Sequence, residues 1–171
     1  LHYRDRRQRQ MCIRDSDSAK QAIELVSGAR IDTVDTRRTS FAQGIPAVRA
    51  AEIAKNGGGL DEAKAVAEDI AERSQSLVIA DTLEYLKKGG RLSQSQYVLG
   101  SMLRVKPILG IGDEPPYVTI ATRVRTLKKA LETMVNMASE QKLEWAAIVH
   151  GEGLESAQAV QSLLQPHIAD I

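Results

Sequence analysis

The 171 residues suffice for one domain or two small ones, and 43% hydrophobic against 26% charged residues is the balance of a folded globular chain, not a disordered one. A net charge of +1 and 4% aromatic residues exclude nucleic-acid binding through bulk charge or base stacking, and the single Cys12 excludes an intrachain disulfide framework and a cysteine-rich metal site. No apolar run approaches the roughly 18–20 residues of a membrane span and no leader pattern opens the chain, so the reading is a soluble cytoplasmic protein without cofactor or metal.

Residues 1–16 hold Arg4, Arg6, Arg7, Arg9 and Arg14 against Asp5 and Asp15, a net of +3, and show no apolar periodicity. Such a stretch is a basic arm for a partner, or a tail or non-native junction; with no apolar face to bury, it is expected to stay outside the fold. The remaining 18 basic and 20 acidic residues make the body mildly acidic.

From Asp17 the pattern becomes regular. Ala19, Ala22, Ile23 and Val26 predict a helix that ends at Ser27-Gly28. Arg30–Asp35, short and β-branched in alternation, predicts a strand, and Thr36–Ser40 a polar loop. Ala47, Val48, Ala51, Ile53 and Ala54 predict a helix stopped by Asn56-Gly57-Gly58-Gly59. The next helix carries Asp61 and Glu62 in its first turn, with Ala63, Val66, Ala67 and Ile70 as its apolar stripe.

Leu77–Ala80, wholly apolar, predicts a buried strand, followed by a short helix over Thr82–Lys88 closed by Gly89-Gly90. Ser95–Leu103 predicts a helix, and Val105–Gly112 and Tyr117–Val124 two strands of a hairpin turned at Asp113–Pro116. Thr126–Gln141 predicts the strongest helix, with Leu127, Leu131, Met134, Val135 and Ala138 on one face. Trp145–His150 predicts a buried strand, Leu154–Gln165 a helix with Leu154, Ala157, Val160 and Leu164 inward, and His167–Ile171 the opening of another strand. Alternating strands and helices make the fold class α/β, the hairpin makes the sheet mixed, and a change in composition near Leu77 places a domain boundary there.

The chemistry-bearing stretch is Asp81–Ser93, in which Lys87, Lys88 and Arg91 flank two glycines at a helix end. Glycine lets backbone approach a ligand, and arginine grips a carboxylate or phosphate bidentately; equally, lysine in a last turn followed by glycine is ordinary helix-stop chemistry. Neither the P-loop nor the dinucleotide fingerprint occurs. His2, His150 and His167 lack metal-ligand spacing, and Thr39 and Ser40 are either anion-binding hydroxyls or caps of the next helix. Asp81 and Glu84, three apart at a helix start, suit capping better than acid–base work.

Three segments together, DTLEYLKKGGR from Asp81, LGSMLRVKPIL from Leu99 and RVRTLKKAL from Arg123, resemble the DegV family of bacterial fatty-acid-binding proteins in order and spacing, and VDTRRTSFAQG from Val34 is similar to an earlier family segment. The resemblance implies a two-domain DegV-like α/β fold with mixed sheets flanked by helices, incomplete at both termini. Residues 17–76 would be the C-terminal part of the first α/β domain and 77–171 most of the second. It implies a non-enzymatic carrier that holds a long-chain fatty acid in an apolar tunnel and presents its carboxyl group to a separate fatty-acid kinase. Arg91 matches the family arginine near the ligand head group. Leu99, Met102, Leu103, Val105, Ile108 and Leu109 match the tunnel wall, and Arg125 matches a surface arginine implicated in kinase docking. The hydroxyls and the histidine that hold the carboxylate in the family have no counterpart in this chain. The alternative reading is a phosphoryl-transfer subunit using the Gly-Gly-Arg loop on a small substrate.

Overall fold

The computed structural model describes residues 16–89, 91–92, 105–112 and 118–168. They fall into two compact units, one reaching Ser74 and including Lys88–Arg91, the other formed by Gln75–Lys87 and the residues from Leu92 onward.

In the first unit a helix over 16–24 (α1) leads through Gly28, at φ +83°, into an irregular stretch before α2 (Phe41–Lys55) and α3 (Leu60–Arg73). Among the described residues the predicted strand at Arg30–Asp35 does not form. A β-branched alternation can only become a strand beside another strand's N–H and C=O groups, and no described strand pairs with it. Its charged side chains instead reach α3, Arg30 to Asp61 and Lys64 Nζ to an Asp32 carboxylate oxygen at 2.8 Å. The loop that follows is fixed to the end of α3 by Arg38, whose Nε donates to the Ser74 carbonyl at 3.0 Å.

α2 begins six residues before the predicted start and runs through Gly44 and Pro46. Pro46 lies inside the helix and is fully buried, so the packing of its ring offsets the hydrogen bond it cannot donate. The burial of α2 falls on Ile45 and Pro46, whereas Ala47, Val48 and Ala51 are exposed. α2 packs on α3, where Ala67 is the one buried position of the predicted stripe and Ala71, outside that stripe, is buried as well. The two helices form a hairpin through Asn56–Gly59, in which Gly57 takes φ +87° and Gly58 donates its N–H to the Ile53 carbonyl at 2.9 Å.

In the second unit β1 (Ser76–Ile79), α4 (Glu84–Lys88), β2 (Lys106–Ile111) and β3 (Val118–Val124) precede α5 (Leu127–Ala138), α6 (Leu154–Leu164) and a 3₁₀ turn (Gln165–His167). The sheet has the order β1-β2-β3 and both pairs are antiparallel, with Val78 opposite Leu109 and Lys106 opposite Val124. The predicted hairpin of β2 and β3 is present; its turn residues lie outside the described ones, as does the predicted helix over Ser95–Leu103. A register shift between Ile108 and Leu109 leaves Ala121 as the extra residue of a β-bulge. β1 is half-buried instead of fully buried, because it is paired on one side only and Val78 stays exposed.

Pro107, Ile108 and Leu109 are buried in succession, so the sheet is covered on both faces at this point. Leu109 packs with Leu83 and Leu92 over Ala80, Leu86, Val118 and Ile120, and α5 lies against all three strands. The predicted stripe of α5 holds at Leu131, Met134 and Val135, joined by a fully buried Ala130, while Leu127 in the first turn is partly exposed. α6 packs on α5 through Val160 and Leu164, and Ile168 completes that core. Leu154, expected inward, is 56% exposed: it is the first residue of α6, where the helix has not yet reached the core. Of two further predicted strands, Trp145–His150 forms no ladder among the described residues, and the one over His167–Ile171 lies outside them from residue 169 onward. The first packs Trp145, Ala146 and Ile148 against this core, and His167 ends a 3₁₀ turn opened by Gln165-Pro166.

Candidate functional site

The Asp81–Arg91 stretch is built from the end of β1 outward. After Ile79 the chain leaves the sheet, and Thr82 Oγ1 accepts from the Glu84 backbone N–H at 3.2 Å to start α4. Leu83 drops into the Leu92–Leu109 cluster and anchors the helix from below. At the far end the Leu92 N–H donates to the Leu86 carbonyl at 3.3 Å, closing the glycine turn. Within that turn Arg91 is exposed, and its Nη1 donates to the Gly89 carbonyl at 3.1 Å. The residue that follows it, Leu92, is buried.

Asp81 does not pair with Glu84 as an acid–base couple. Lys106 Nζ, at the start of β2, lies 2.8 Å from its carboxylate and holds its pKa below the ordinary value, first by that hydrogen bond and then by charge. This contact spans 25 positions and has no local signature in the sequence. Asp32 is likewise lowered, by the hydrogen bond from Lys64 and then by the Thr33 N–H, and Lys64 is raised by the same pair. Both couples are ion pairs at the surface, not perturbed groups gathered in a cleft.

Of the other sequence candidates, Ile108 and Leu109 are wholly enclosed by protein, and Val105 is half-buried just before β2. Leu99, Met102 and Leu103 lie outside the described residues, as do His2 and Cys12. Arg125 is exposed and precedes Thr126, whose Oγ1 accepts from the Lys129 N–H at 3.2 Å as the N-cap of α5. It therefore stands outside the helix, not in its first turn. Ser40 occupies the N-cap position of α2 at φ 56°, but its hydroxyl makes no cap bond. His150 is exposed and lines a depression of about 260 Å³ with Ile148, Leu154, Ala157, Gln158 and Gln161. Among the described residues no group of His, Cys, Asp and Glu could hold a metal, and no helix is long and apolar enough to cross a membrane.

The sequence matches the family described as uncharacterised protein, DegV family, over residues 15–170. The chain belongs to the DegV family. It is 37% identical over 118 residues to a DegV domain-containing protein of Clostridium acetobutylicum, covering 69% of this chain and 41% of that protein. It is also 32% identical over 158 residues to protein DegV of Bacillus subtilis, covering 88% of this chain and 56% of the relative. The chain thus spans about half the length of the curated relatives it matches. Among solved structures, a DegV family protein of Corynebacterium glutamicum superposes with TM-score 0.78 at 26% identity, over 89% of this chain and 58% of that one. The crystal structure of DegV, a fatty acid binding protein from Bacillus subtilis, superposes with TM-score 0.71 at 29% identity, over 91% and 57%. A Thermus thermophilus DegV family protein described by its fatty acid binding gives 0.70 at 28%, over 87% and 54%. The α/β fold read from the sequence is that of the DegV structures.

Proposed function

We propose that this chain is the larger part of the lipid-holding body of a fatty-acid carrier, which presents the carboxyl group of its bound acid to a separate fatty-acid kinase. The observation that carries the reading is the family membership together with the fatty acid binding attributed to the relatives of Bacillus subtilis and Thermus thermophilus. The local chemistry suits it. Arg91 offers an exposed guanidinium in a glycine turn, immediately followed by an apolar residue directed into a Leu-rich cluster. A carboxylate needs such a donor, because an unpaired charge withdrawn from water is costly. An alkyl tail needs only apolar surface: at about 0.8 kcal/mol per methylene, some 15 methylenes contribute on the order of 10 kcal/mol before the entropy of ordering is subtracted. In this proposal Leu99, Met102, Leu103 and Val105 border the chain-binding space, Ile108 and Leu109, expected there too but enclosed by protein, support it from within the core, Arg91 attends the head group and Arg125 faces the kinase.

The test is direct. The protein that carries this sequence is purified from a bacterial host, extracted under denaturing conditions and analysed by mass spectrometry. A long-chain fatty acid in near-stoichiometric amount is expected. Arg91→Ala should lower affinity for the acid by about ten- to a hundredfold, the loss of one charged hydrogen bond, without loss of folding. Absence of any co-purified or exchangeable fatty acid overturns the reading, and unchanged affinity in the variant returns Arg91 to the plain role of closing a helix end.

A further inference from the structure

The backbone ladder between β1 and β2 ends at Ile79 opposite Ile108. Continued by two residues, the same register sets Ala80 opposite Pro107, which has no N–H to extend the ladder, and Asp81 opposite Lys106. The 2.8 Å pair of Lys106 Nζ and the Asp81 carboxylate takes over where the main-chain bonds stop. It is a cross-strand contact that pins the register at the point where the chain leaves the sheet for α4. Stability does not account for it. The Asp81 side chain is 90% exposed and that of Lys106 30%, and an ion pair so open to water contributes little to folding.

What the pair controls is direction. Asp81 is followed by the Thr82 turn and by Leu83, which is buried with Leu109 of the same strand β2. The Lys87 N–H donates to the Leu83 carbonyl at 2.9 Å, and the Leu92 N–H to the Leu86 carbonyl at 3.3 Å. From Asp81 to Leu92 each hold passes to the next, and residues 88–91 are the span between two bonded ends. β2 thus fixes this segment at two places, from Lys106 by charge and from Leu109 by packing. Apolar packing is non-directional, whereas a charged hydrogen bond has one donor, one acceptor and one length.

We propose that Lys106 is a positioning residue for the head-group arginine: through Asp81 it sets the exit from β1, and through α4 the orientation of the Arg91 guanidinium toward a bound carboxylate. The proposal rests on the carrier reading above. In this role Lys106 touches no ligand itself and acts only through Arg91. Its effect therefore follows the carboxylate of the ligand and not the alkyl chain.

The experiment compares two probes, a long-chain fatty acid and the fatty alcohol of the same length, which lacks the carboxylate. Affinities for both are measured on the protein that carries this sequence and on its Lys106→Met, Arg91→Ala and doubly substituted variants, with circular dichroism to verify the fold. Lys106→Met is expected to lower affinity for the acid by about three- to tenfold, to leave the alcohol unchanged, and to have no further effect in the Arg91→Ala background. Asp81→Asn, which removes the charge at the exposed end of the pair, should give the same pattern, and Lys106→Arg, which keeps the cation, should retain most of the acid affinity. Equal losses for acid and alcohol overturn the proposal, as do losses that add to those of Arg91→Ala, since a general disturbance of the fold produces both. Acid binding that depends on Arg91 but not on Lys106 overturns it and leaves the carrier reading standing. Failure of the wild type to bind the acid overturns the carrier reading and this proposal together.

Discussion

Lys106, the first residue of β2, holds Asp81 in the turn after β1 by a 2.8 Å ion pair, so a cation of the central strand fixes the approach to the Gly-Gly-Arg turn. The Asp81 carboxylate is displaced below its ordinary pKa by the hydrogen bond and charge of Lys106. A carboxylate lowered in the folded state stabilises the fold above its unfolded pKa of about 4, and that contribution fades as pH falls through the lower folded value. Lys106→Met should return the Asp81 titration, followed by NMR, to the ordinary carboxylate range. The difference in stability between wild type and variant should be small at neutral pH, because Asp81 is exposed and screened, and should vanish in acid. Identical Asp81 titration in both proteins would show that the pair is not formed in solution.

Adjacent glycines in the α2–α3 turn are required for different reasons, and one substitution separates them. Gly57 needs its positive φ of 87° but has open space where a side chain would stand. Gly58 has no such backbone demand, but a Cβ there would lie 2.4 Å from Ile53 Cγ2 and 2.7 Å from Glu62 Oε2. Gly57→Asn should therefore cost well under about 1 kcal/mol, since asparagine tolerates the left-handed region, whereas Gly58→Asn should cost about 1–3 kcal/mol by overpacking. Thermal unfolding of the two variants checks the order.

Two leucines in the second unit differ sharply in burial, and only Leu154 departs from the inward position expected of it. Leu109 is 1% exposed at the centre of the sheet, and Leu154 is 56% exposed at the start of α6. Leu109→Ala should destabilise by about 2–5 kcal/mol, the transfer loss plus a cavity, while Leu154→Ala should stay within about 0.5 kcal/mol of wild type. Chemical denaturation measures both, and a large loss at Leu154 would place it inside the core after all.

Elements whose stabilising partners are local were legible in the sequence. α3 and α5 announce themselves by stripes three and four apart, and β2 and β3 by two apolar runs around a proline turn. The strands expected at Arg30–Asp35 and Trp145–His150 show the opposite case. Ala146 and Ile148 keep an inward alternation, whereas Thr33 and Val34 are half-buried side by side and Ile31 is exposed; in both stretches a ladder depends on neighbours remote in sequence that composition does not name. α2 was hidden for another reason: Pro46 carries a local signal to break, and its burial overrides that signal. At the candidate site, Arg91 and its glycine turn stood out by residue type, whereas the Asp81–Lys106 pair depends on β1 and β2 lying side by side and has no sequence mark.

Arg125 separates a docking role from a structural one. It precedes the N-cap Thr126 and is exposed, so its charge supports no local packing, and a cation near a helix N-terminus is unfavourable to the dipole. Glutamate at the same position would complement the dipole, so Arg125→Glu should leave folding intact or slightly favoured. Fatty-acid binding should be unchanged in the protein carrying this sequence. If the proposed docking role holds, phosphorylation of the acid by a separate kinase should fall about tenfold or more, because a basic patch joined by Lys128 and Lys129 would steer and orient an acidic partner surface. Raised salt should weaken the wild-type reaction in the same way, since surface charges are screened beyond about 8–10 Å at moderate ionic strength. Loss of fatty-acid binding with kinase association preserved would move Arg125 from the docking surface to the ligand site.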